Sequence, residues 1–103
     1  MKISEFQNLM KNLCLHQDRD RGIERTFIWL VEELGELANQ LKVKNEKDLN
    51  KISEEMADII AWTSSLANVL GIDLETALFE KYPNKCLKCN SNPCCCSSST
   101  DSR

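Results

Sequence analysis

Glycine, proline and histidine are scarce in this sequence, with three glycines, two prolines and one histidine among 103 residues. The prolines come late, at Pro83 and Pro93, and no alternating apolar and polar stretch is long enough to predict a strand. The sequence also lacks an uninterrupted apolar run of about 20 residues, which excludes a membrane span. The basic start and apolar core of a signal peptide are missing as well. These absences predict an all-α protein with a cytoplasmic location and no membrane partner.

Charge is unevenly distributed along the chain. Residues 1–83 carry 10 Lys+Arg against 15 Asp+Glu, whereas residues 84–103 carry 3 against 1. A broad interface with a phosphate backbone needs a basic face, so nucleic acid is not an expected partner. A chain of 11.8 kDa forms one domain with a small core, so we expect stabilisation by a metal, by crosslinks or by a partner subunit.

Apolar residues recur at helical spacing along residues 1–83 and predict a bundle of about four antiparallel helices. A capping-box pattern that starts at Ser4 opens the first helix. The charged stretch 17–24, which contains Gly22, is expected to be a loop. The predicted helices span about 4–16, 25–43, 49–70 and a short stretch between Asp73 and Pro83. The residues predicted to face inward from the second helix are Phe27, Leu30, Leu34, Leu37, Ala38 and Leu41.

Two pairs of carboxylates stand three residues apart, Glu33 with Glu36 and Glu55 with Asp58, in the second and third predicted helices. Residues at this spacing share a helix face, and both pairs lie at the margin of the apolar stripe. Antiparallel packing would bring all four together, where they repel one another unless a cation neutralises them. An oxygen-only cluster suits Mg²⁺, or Mn²⁺, bound together with the phosphates of a ligand. The alternative is that these acids are solvated or paired with lysines.

Two tryptophans accompany the carboxylates. Trp29 lies one turn before Glu33, and Trp62 lies one turn after Asp58, so antiparallel helices would place both indoles at the same end of the cluster. Flat apolar surfaces beside a metal–phosphate site suit a stacked nucleobase. Arg25 continues the face of Trp29 and is a candidate for phosphate binding. The alternative is that both tryptophans are ordinary aromatic residues at the edge of a core.

These motifs resemble those of a known family. The segment Glu32-Glu33-Leu34-Gly35-Glu36, followed by Glu55-Met56-Ala57-Asp58, forms an EExxE…ExxD pattern. The pattern resembles the MazG-like branch of the all-α nucleoside triphosphate pyrophosphohydrolase superfamily, over about residues 3–83. The flanking segments that share the resemblance are Trp29-Leu30-Val31, Asp58-Ile59-Ile60-Ala61-Trp62 and Leu70-Gly71-Ile72-Asp73-Leu74.

The resemblance implies a Mg²⁺-dependent enzyme that converts a nucleoside triphosphate and water to the monophosphate and pyrophosphate, with a role in clearing unwanted or non-standard nucleotides. It implies a homodimer or a dimer of dimers with the site near the subunit interface. Glu32 would orient or deprotonate the attacking water, alone or with Glu33, and Trp62 would pack against the base. Relatives carry a Lys-Asn pair and an Arg-Tyr-Pro ending in the fourth helix, of which only Lys81 is carried over here, as a substrate-binding residue. The implied metal ligands are Glu33, Glu36, Glu55 and Asp58.

Composition sets residues 84–96 apart as a Cys-rich tail after the helical domain 1–83, and residues 97–103 as a disordered, Ser-rich end. Five of the six cysteines lie between Cys86 and Cys96, in the spacing Cys86-x2-Cys89-x4-Cys94-x-Cys96. Without an export signal, such clustering predicts a metal site, and four thiolates suit a structural Zn²⁺. Disulfides or free thiols, and an iron–sulfur cluster, are the alternatives.

Two competing functions remain open at the level of sequence. The tail would also suit a non-enzymatic helical module that uses a zinc knuckle to bind a partner, although that function gives the four acids no role. Within the same superfamily, phosphoribosyl-ATP pyrophosphohydrolase is a second alternative. A panel of nucleotide substrates distinguishes the three.

Overall fold

Four α-helices make up most of residues 1–97, the part of the chain that the computed structural model describes. No strand occurs within these residues, which confirms the all-α prediction. No helix among them is both long and apolar enough to cross a bilayer. Apart from Ser97, the predicted Ser-rich end at 97–103 lies outside the described residues. The helices are α1 (Ile3–Arg21), α2 (Ile23–Leu41), α3 (Leu49–Leu70) and α4 (Leu74–Lys81).

The predicted loop at residues 17–24 is wrong. Helix α1 continues to Arg21, and only Gly22 separates it from α2. Asp18 accepts a 2.8 Å hydrogen bond from Arg21 three residues later, so the charged residues stabilise the last turn of α1 rather than interrupt it. Gly22 has a φ of 89°, a conformation that residues with a Cβ rarely adopt, and this single residue reorients the chain between the two helices. The second helix accordingly starts and ends two residues earlier than predicted.

The start of α1 also differs from the prediction. Lys2, not Ser4, is the N-cap residue, and its backbone N–H donates to the Glu5 carboxylate at 3.0 Å. The Ser4 N–H instead donates to the Glu75 carboxylate at 3.2 Å, which links α1 to α4. The capping box therefore begins two residues earlier than predicted, with the Glu5 carboxylate accepting from the Lys2 backbone N–H.

The ends of α3 and α4 follow the sequence signals. Asp48 caps α3 by accepting from the Lys51 N–H, and Asp73 caps α4 by accepting from the Thr76 N–H. Gly71 ends α3 in the left-handed conformation, with φ 73°. Aspartate at a helix start and glycine at a helix end are the residue types that favour these boundaries.

Helices α1 and α2 both pack along α3, and α4 packs against α1. Small buried residues on α3, Ser64, Ser65 and Ala67, allow close approach of its neighbours. The Gln7 side chain of α1 donates to Asn68 Oδ1 and to the Ile72 carbonyl, and accepts from the Leu74 N–H. One amide therefore joins α1 to α3 and to the start of α4.

The apolar core of the isolated chain is small. Ile52 and Ala67 are the buried hydrophobic residues of the described chain. Of the residues predicted to face inward from α2, Phe27 is 53% exposed and Leu34 is 48% exposed, so this part of the prediction is wrong for the single chain. The reason is that α2 carries more apolar surface than α3 alone can cover. Other large apolar residues exposed on α2 and α3 are Ile23, Ile28, Trp29, Val31, Leu41, Leu49, Met56, Ile60 and Leu70.

Candidate active site and thiol cluster

The carboxylate pairs of α2 and α3 meet where these helices pack together. Carboxylate oxygens of Glu33, Glu55 and Asp58 all lie within 4.8 Å of one another. Glu36, one turn further along α2, makes a side-chain hydrogen bond with Glu55. The partners pair in antiparallel order, because residues further along α2 meet residues earlier on α3. The structure thus brings together three of the four acids that the sequence singled out, Glu33, Glu55 and Asp58, with Glu36 next to Glu55.

Burial makes this acidic cluster electrostatically costly. Glu55 is 7% exposed, and one oxygen each of Glu33 and Glu55, Oε2 in both, is buried without a hydrogen-bond partner. Desolvation raises the pKa of Glu33 to about 7, reinforced by its hydrogen bond to Glu55 and by the charges of Glu36 and Asp58. Desolvation is also the largest cause that raises the pKa of Glu55. Burial among other acids therefore shifts Glu33 towards its protonated form.

The chemistry of this donor set fits a hard divalent cation. All the donors are carboxylate oxygens, which suit Mg²⁺ or Mn²⁺ better than softer metals. The buried Oε2 atoms of Glu33 and Glu55 lack a donor in the protein, and a cation would satisfy both. The raised pKa of Glu33 supports the same conclusion, because burial and the neighbouring acids disfavour its charged form, which a bound cation would stabilise.

The two predicted base-binding residues are in direct contact. The rings of Trp29 and Trp62 meet edge to face, with centroids 5.2 Å apart and an interplanar angle of 76°. The Arg21 guanidinium lies 5.1 Å from the Trp29 ring centroid and 4.8 Å from that of Trp62. Both indoles thus lie at one end of the acidic cluster, as expected, and Arg21 covers part of their surface.

Sequence reasoning missed Asp18, which holds Arg21 in place. Asp18 is 1% exposed, and its Oδ1 accepts the 2.8 Å bond from Arg21. Its other oxygen, like the hydroxyl of the fully buried Thr26, has no hydrogen-bond partner. The i, i+3 spacing of Asp18 and Arg21 was the available signal, and it was outweighed by the loop-like composition of residues 17–24.

The remaining candidates lie outside the acidic cluster's core. Glu32 and Arg25 are exposed on α2. Lys81, at the end of α4, lines a cavity with the Cys-rich segment, and none of the four carboxylates lines that cavity. The structure therefore brings the acids and tryptophans together and associates Lys81 with a different surface.

The Cys-rich segment forms a second cluster of potential metal ligands. The Sγ atoms of Cys86, Cys89, Cys94 and Cys96 all lie within 4.8 Å of one another. The Cys86–Cys96 and Cys89–Cys94 Sγ pairs are each 3.9 Å apart, and all six cysteines of the chain are free thiols. A tetrahedral site with Zn–S bonds of about 2.3 Å has sulfur atoms about 3.8 Å apart, whereas a disulfide needs about 2.05 Å. The spacing therefore matches four thiolates around one metal ion.

Backbone geometry supports the thiol cluster. The Asn90 N–H donates to the Cys86 carbonyl at 2.7 Å, and Asn90 has a φ of 59°, so the chain turns tightly after Cys89. Backbone N–H groups of Cys95 and Ser91 lower the pKa of Cys89 to about 5. The hydrogen bond to Cys94 is the largest cause that raises the pKa of Cys96, to about 12. Without a metal, these thiols therefore differ widely in pKa, and a cation would favour the thiolate form of all four.

Comparison with known proteins identifies the class to which this arrangement belongs. A family model described as the MazG nucleotide pyrophosphohydrolase domain matches residues 21–89. This range includes both carboxylate pairs, both tryptophans and the first two cysteines of the thiol cluster. The chain belongs to the MazG nucleotide pyrophosphohydrolase family. No individual curated protein matched the chain closely enough to count as a relative.

Proposed function

We propose that the protein is a Mg²⁺-dependent nucleoside triphosphate pyrophosphohydrolase, which converts a nucleoside triphosphate and water to the monophosphate and pyrophosphate. The observation that carries this proposal is the convergence of Glu33, Glu55 and Asp58, with two buried oxygens that lack any donor. Family membership supports the same reaction class. Mn²⁺ would suit the same ligands. Free thiols favour a reducing compartment such as the cytoplasm, and removal of unwanted nucleotides is the proposed role.

Each acid has a proposed task. Glu33, Glu36, Glu55 and Asp58 would hold the cation, which neutralises phosphate charge and lowers the pKa of water when bound. Glu33 lies within the same cluster and is a second candidate to take a proton from that water. Glu32 is adjacent and exposed, and it can orient that water or receive the proton from it.

The substrate would contact the surface next to the acids. Trp29 and Trp62 present aromatic edges and faces at one end of the cluster, where a base can pack beside the triphosphate. Arg25 and Lys81 are proposed to bind phosphate. In the single chain, Lys81 lines a cavity that contains none of the four acids. Its contribution to the catalytic site would therefore depend on how the chains assemble.

We further propose that the protein is a homodimer or a dimer of dimers. The exposed apolar residues of α2 include Phe27, Val31 and Leu34, at spacings of four and three residues that place them along one stripe. A single chain with two buried hydrophobic residues has little apolar burial to offset the loss of chain entropy. Association through α2 would bury this stripe.

The test is a panel of nucleoside triphosphates incubated with the protein and Mg²⁺, with pyrophosphate as the readout. Pyrophosphate and monophosphate in equal amounts are expected, and metal-free buffer should abolish both. Release of inorganic phosphate with a diphosphate would contradict the proposal. The panel includes phosphoribosyl-ATP, because its exclusive hydrolysis would identify the alternative enzyme of the superfamily.

The competing function is a binding module that uses the Cys cluster. Its support is the match between the thiol spacing and a tetrahedral metal site, which we propose to be structural Zn²⁺. An inactive protein in the nucleotide panel, with one zinc per chain, would favour this module over the enzyme.

A further inference from the structure

A cavity of about 500 Å³ lies between the end of α4 and the Cys-rich segment. Its walls are residues 81–88 together with Ser91, Asn92 and Cys94. No residue of the carboxylate cluster takes part. The volume is in the range of small-molecule sites, about 300–1,000 Å³, so one nucleotide-sized ligand would fit.

The charge of this cavity is opposite to that of the rest of the chain. Three of its lining residues are the lysines Lys81, Lys85 and Lys88, and none is acidic. Residues 1–80 carry 9 Lys+Arg against 15 Asp+Glu, whereas residues 81–97 carry three lysines and no acid. With a metal-loaded thiol cluster counted at −2, the three lysines still leave this region a net charge of about +1, whereas most of the remaining surface is acidic and repels anions.

Flat and polar surfaces accompany the lysines. Tyr82 is 52% exposed and Leu87 is 56% exposed, so both present apolar area to solvent at the cavity. The Asn92 side-chain amide donates to the backbone carbonyl and to the side-chain oxygen of Asn84, at 3.0 Å each. This pair fixes one wall. A phenol ring beside ammonium groups is the combination that accepts a base and its phosphates.

The thiol cluster controls the geometry of the same walls. Lys85 directly precedes Cys86, and Lys88 directly precedes Cys89. A metal held by the four cysteines would therefore fix the backbone that carries two of the three lysines. The Cys86 N–H donates to the Ser91 carbonyl at 2.9 Å, and this bond closes the turn of residues 86–91, which carries Lys88.

We propose that this cavity is a second nucleotide site, in which Lys85 and Lys88 bind the phosphates of a nucleoside phosphate and Tyr82 packs against its base. The metal of the thiol cluster would fix the backbone of the site and would not bind the nucleotide itself. The site is separate from the proposed catalytic cluster and does not depend on catalysis there. A four-thiolate zinc centre carries a net charge of −2, so the rival explanation is that the lysines only neutralise it.

The experiment measures binding of ADP to the zinc-loaded full chain in buffer without magnesium, by calorimetry. The test variant is the double substitution Lys85→Gln and Lys88→Gln, and the matched control is Lys42→Gln with Lys44→Gln on the exposed connection between α2 and α3. Loss of two charged contacts should weaken ADP binding at least about tenfold in the test variant. The control should bind as the wild type does. Zinc content and circular dichroism are measured for both variants.

Three outcomes would overturn the proposal. Equal ADP binding in the test variant, with weaker zinc retention, would show that the lysines serve the metal alone. Binding of a ten-residue single-stranded oligonucleotide without binding of ADP would show a nucleic-acid surface instead. ADP binding that persists in the test variant but is lost in Glu55→Gln would place the nucleotide in the catalytic cluster. Tight binding by Glu55→Gln, even if the enzyme is inactive on every triphosphate, would support the second site independently.

Discussion

The protein contains two clusters of potential metal ligands that are built in opposite ways. The acidic cluster takes its oxygens from two long helices, α2 and α3, whose packing positions them without a cation. The thiol cluster takes four sulfur atoms from eleven consecutive residues, Cys86–Cys96, that form no regular element. Oxygen ligands favour a hard, exchangeable cation, whereas four thiolates favour a tightly held one. Under the proposed function, the helices would position ligands for an exchangeable ion, and a tightly held ion would stabilise the segment that has no helix.

The two clusters also deal with electrostatic repulsion differently. In the acidic cluster, burial and neighbouring acids raise the pKa of Glu33 to about 7, so a proton reduces the charge. In the thiol cluster, backbone N–H groups lower the pKa of Cys89 to about 5, so the polypeptide stabilises one thiolate itself. The acids therefore need a cation to become fully ionised, and the thiols start with one ligand already in the thiolate form.

The largest expected effect is loss of turnover when a carboxylate of the acidic cluster becomes an amide. Asp58→Asn or Glu36→Gln should lower kcat by about three orders of magnitude or more, since an amide cannot neutralise the cation. Pyrophosphate release is the readout. The helical circular dichroism should be unchanged, because the amide has the same shape as the acid.

The matched control for these substitutions is Glu80→Gln, an exposed acid on α4 outside the cluster. It should retain full activity. Near-normal hydrolysis in Asp58→Asn would show that Asp58 is not part of the catalytic site. It would also contradict the interpretation of the acidic cluster as a metal site.

The next effect concerns the thiol cluster. Cys86→Ser, or a chelator selective for zinc over magnesium, should release one metal ion per chain and disorder residues 84–96, because no helix holds them. Amide NMR resonances of these residues should collapse, while Mg²⁺-dependent activity survives. Cys14→Ser is the control, because Cys14 lies on α1 outside the thiol cluster and should leave metal content unchanged. Iron in the metal analysis would contradict the structural zinc.

The sequence predicted the acidic cluster because helical spacing alone determines which residues share a face. Glu33 with Glu36, and Glu55 with Asp58, needed only the antiparallel packing of two helices in order to meet. The position of Arg21 could not be predicted in this way, because it depends on the single-residue junction at Gly22. Charged composition suggested a loop there, whereas the ion pair with Asp18 continues the helix. A local ion pair within α1 thus outweighed the loop-like composition at this point.

The exposure of the α2 stripe could not be predicted from sequence for a different reason. Apolar spacing shows that Phe27 and Leu34 seek burial, but it does not distinguish burial within one chain from burial between chains. In the isolated chain both residues are about half exposed. Composition predicted the thiol cluster well, since five cysteines within eleven residues cannot lie far apart, and four of them meet.

A third, smaller effect is a pH dependence of stability that belongs to the acidic cluster. Glu33 has a pKa of about 7 in the folded protein, above its ordinary value of 4.5. The folded state therefore binds more protons than the unfolded state between these values, and stability falls as the pH rises through about 7. We expect the Tm of the magnesium-free protein to be lower at pH 8 than at pH 5.5. Mg²⁺ should raise the Tm more at pH 8, because it replaces the proton.

Glu33→Gln tests the origin of that dependence. Since glutamine does not titrate, the Tm should fall less between pH 5.5 and pH 8 in this variant, and Mg²⁺ should stabilise it less. An unchanged pH profile would assign the effect to other groups and would show that the acidic cluster carries its charge without a proton.

The smallest effect concerns the aromatic end of the acidic cluster. Arg21→Lys keeps a positive charge beside Asp18 but removes the planar guanidinium that lies over Trp29 and Trp62. The free energy of unfolding should fall by about 1 kcal/mol, and tryptophan fluorescence should change, because ring contacts are lost while the charge pair remains. Arg19→Lys, one exposed position on the same turn, should change neither quantity. If Arg21→Lys destabilises the protein as much as Asp18→Asn does, the ion pair with Asp18 requires the planar guanidinium and not only a positive charge. In that case Arg21 would serve the fold through Asp18, and the indoles would be free to accept a base without losing a stabilising partner.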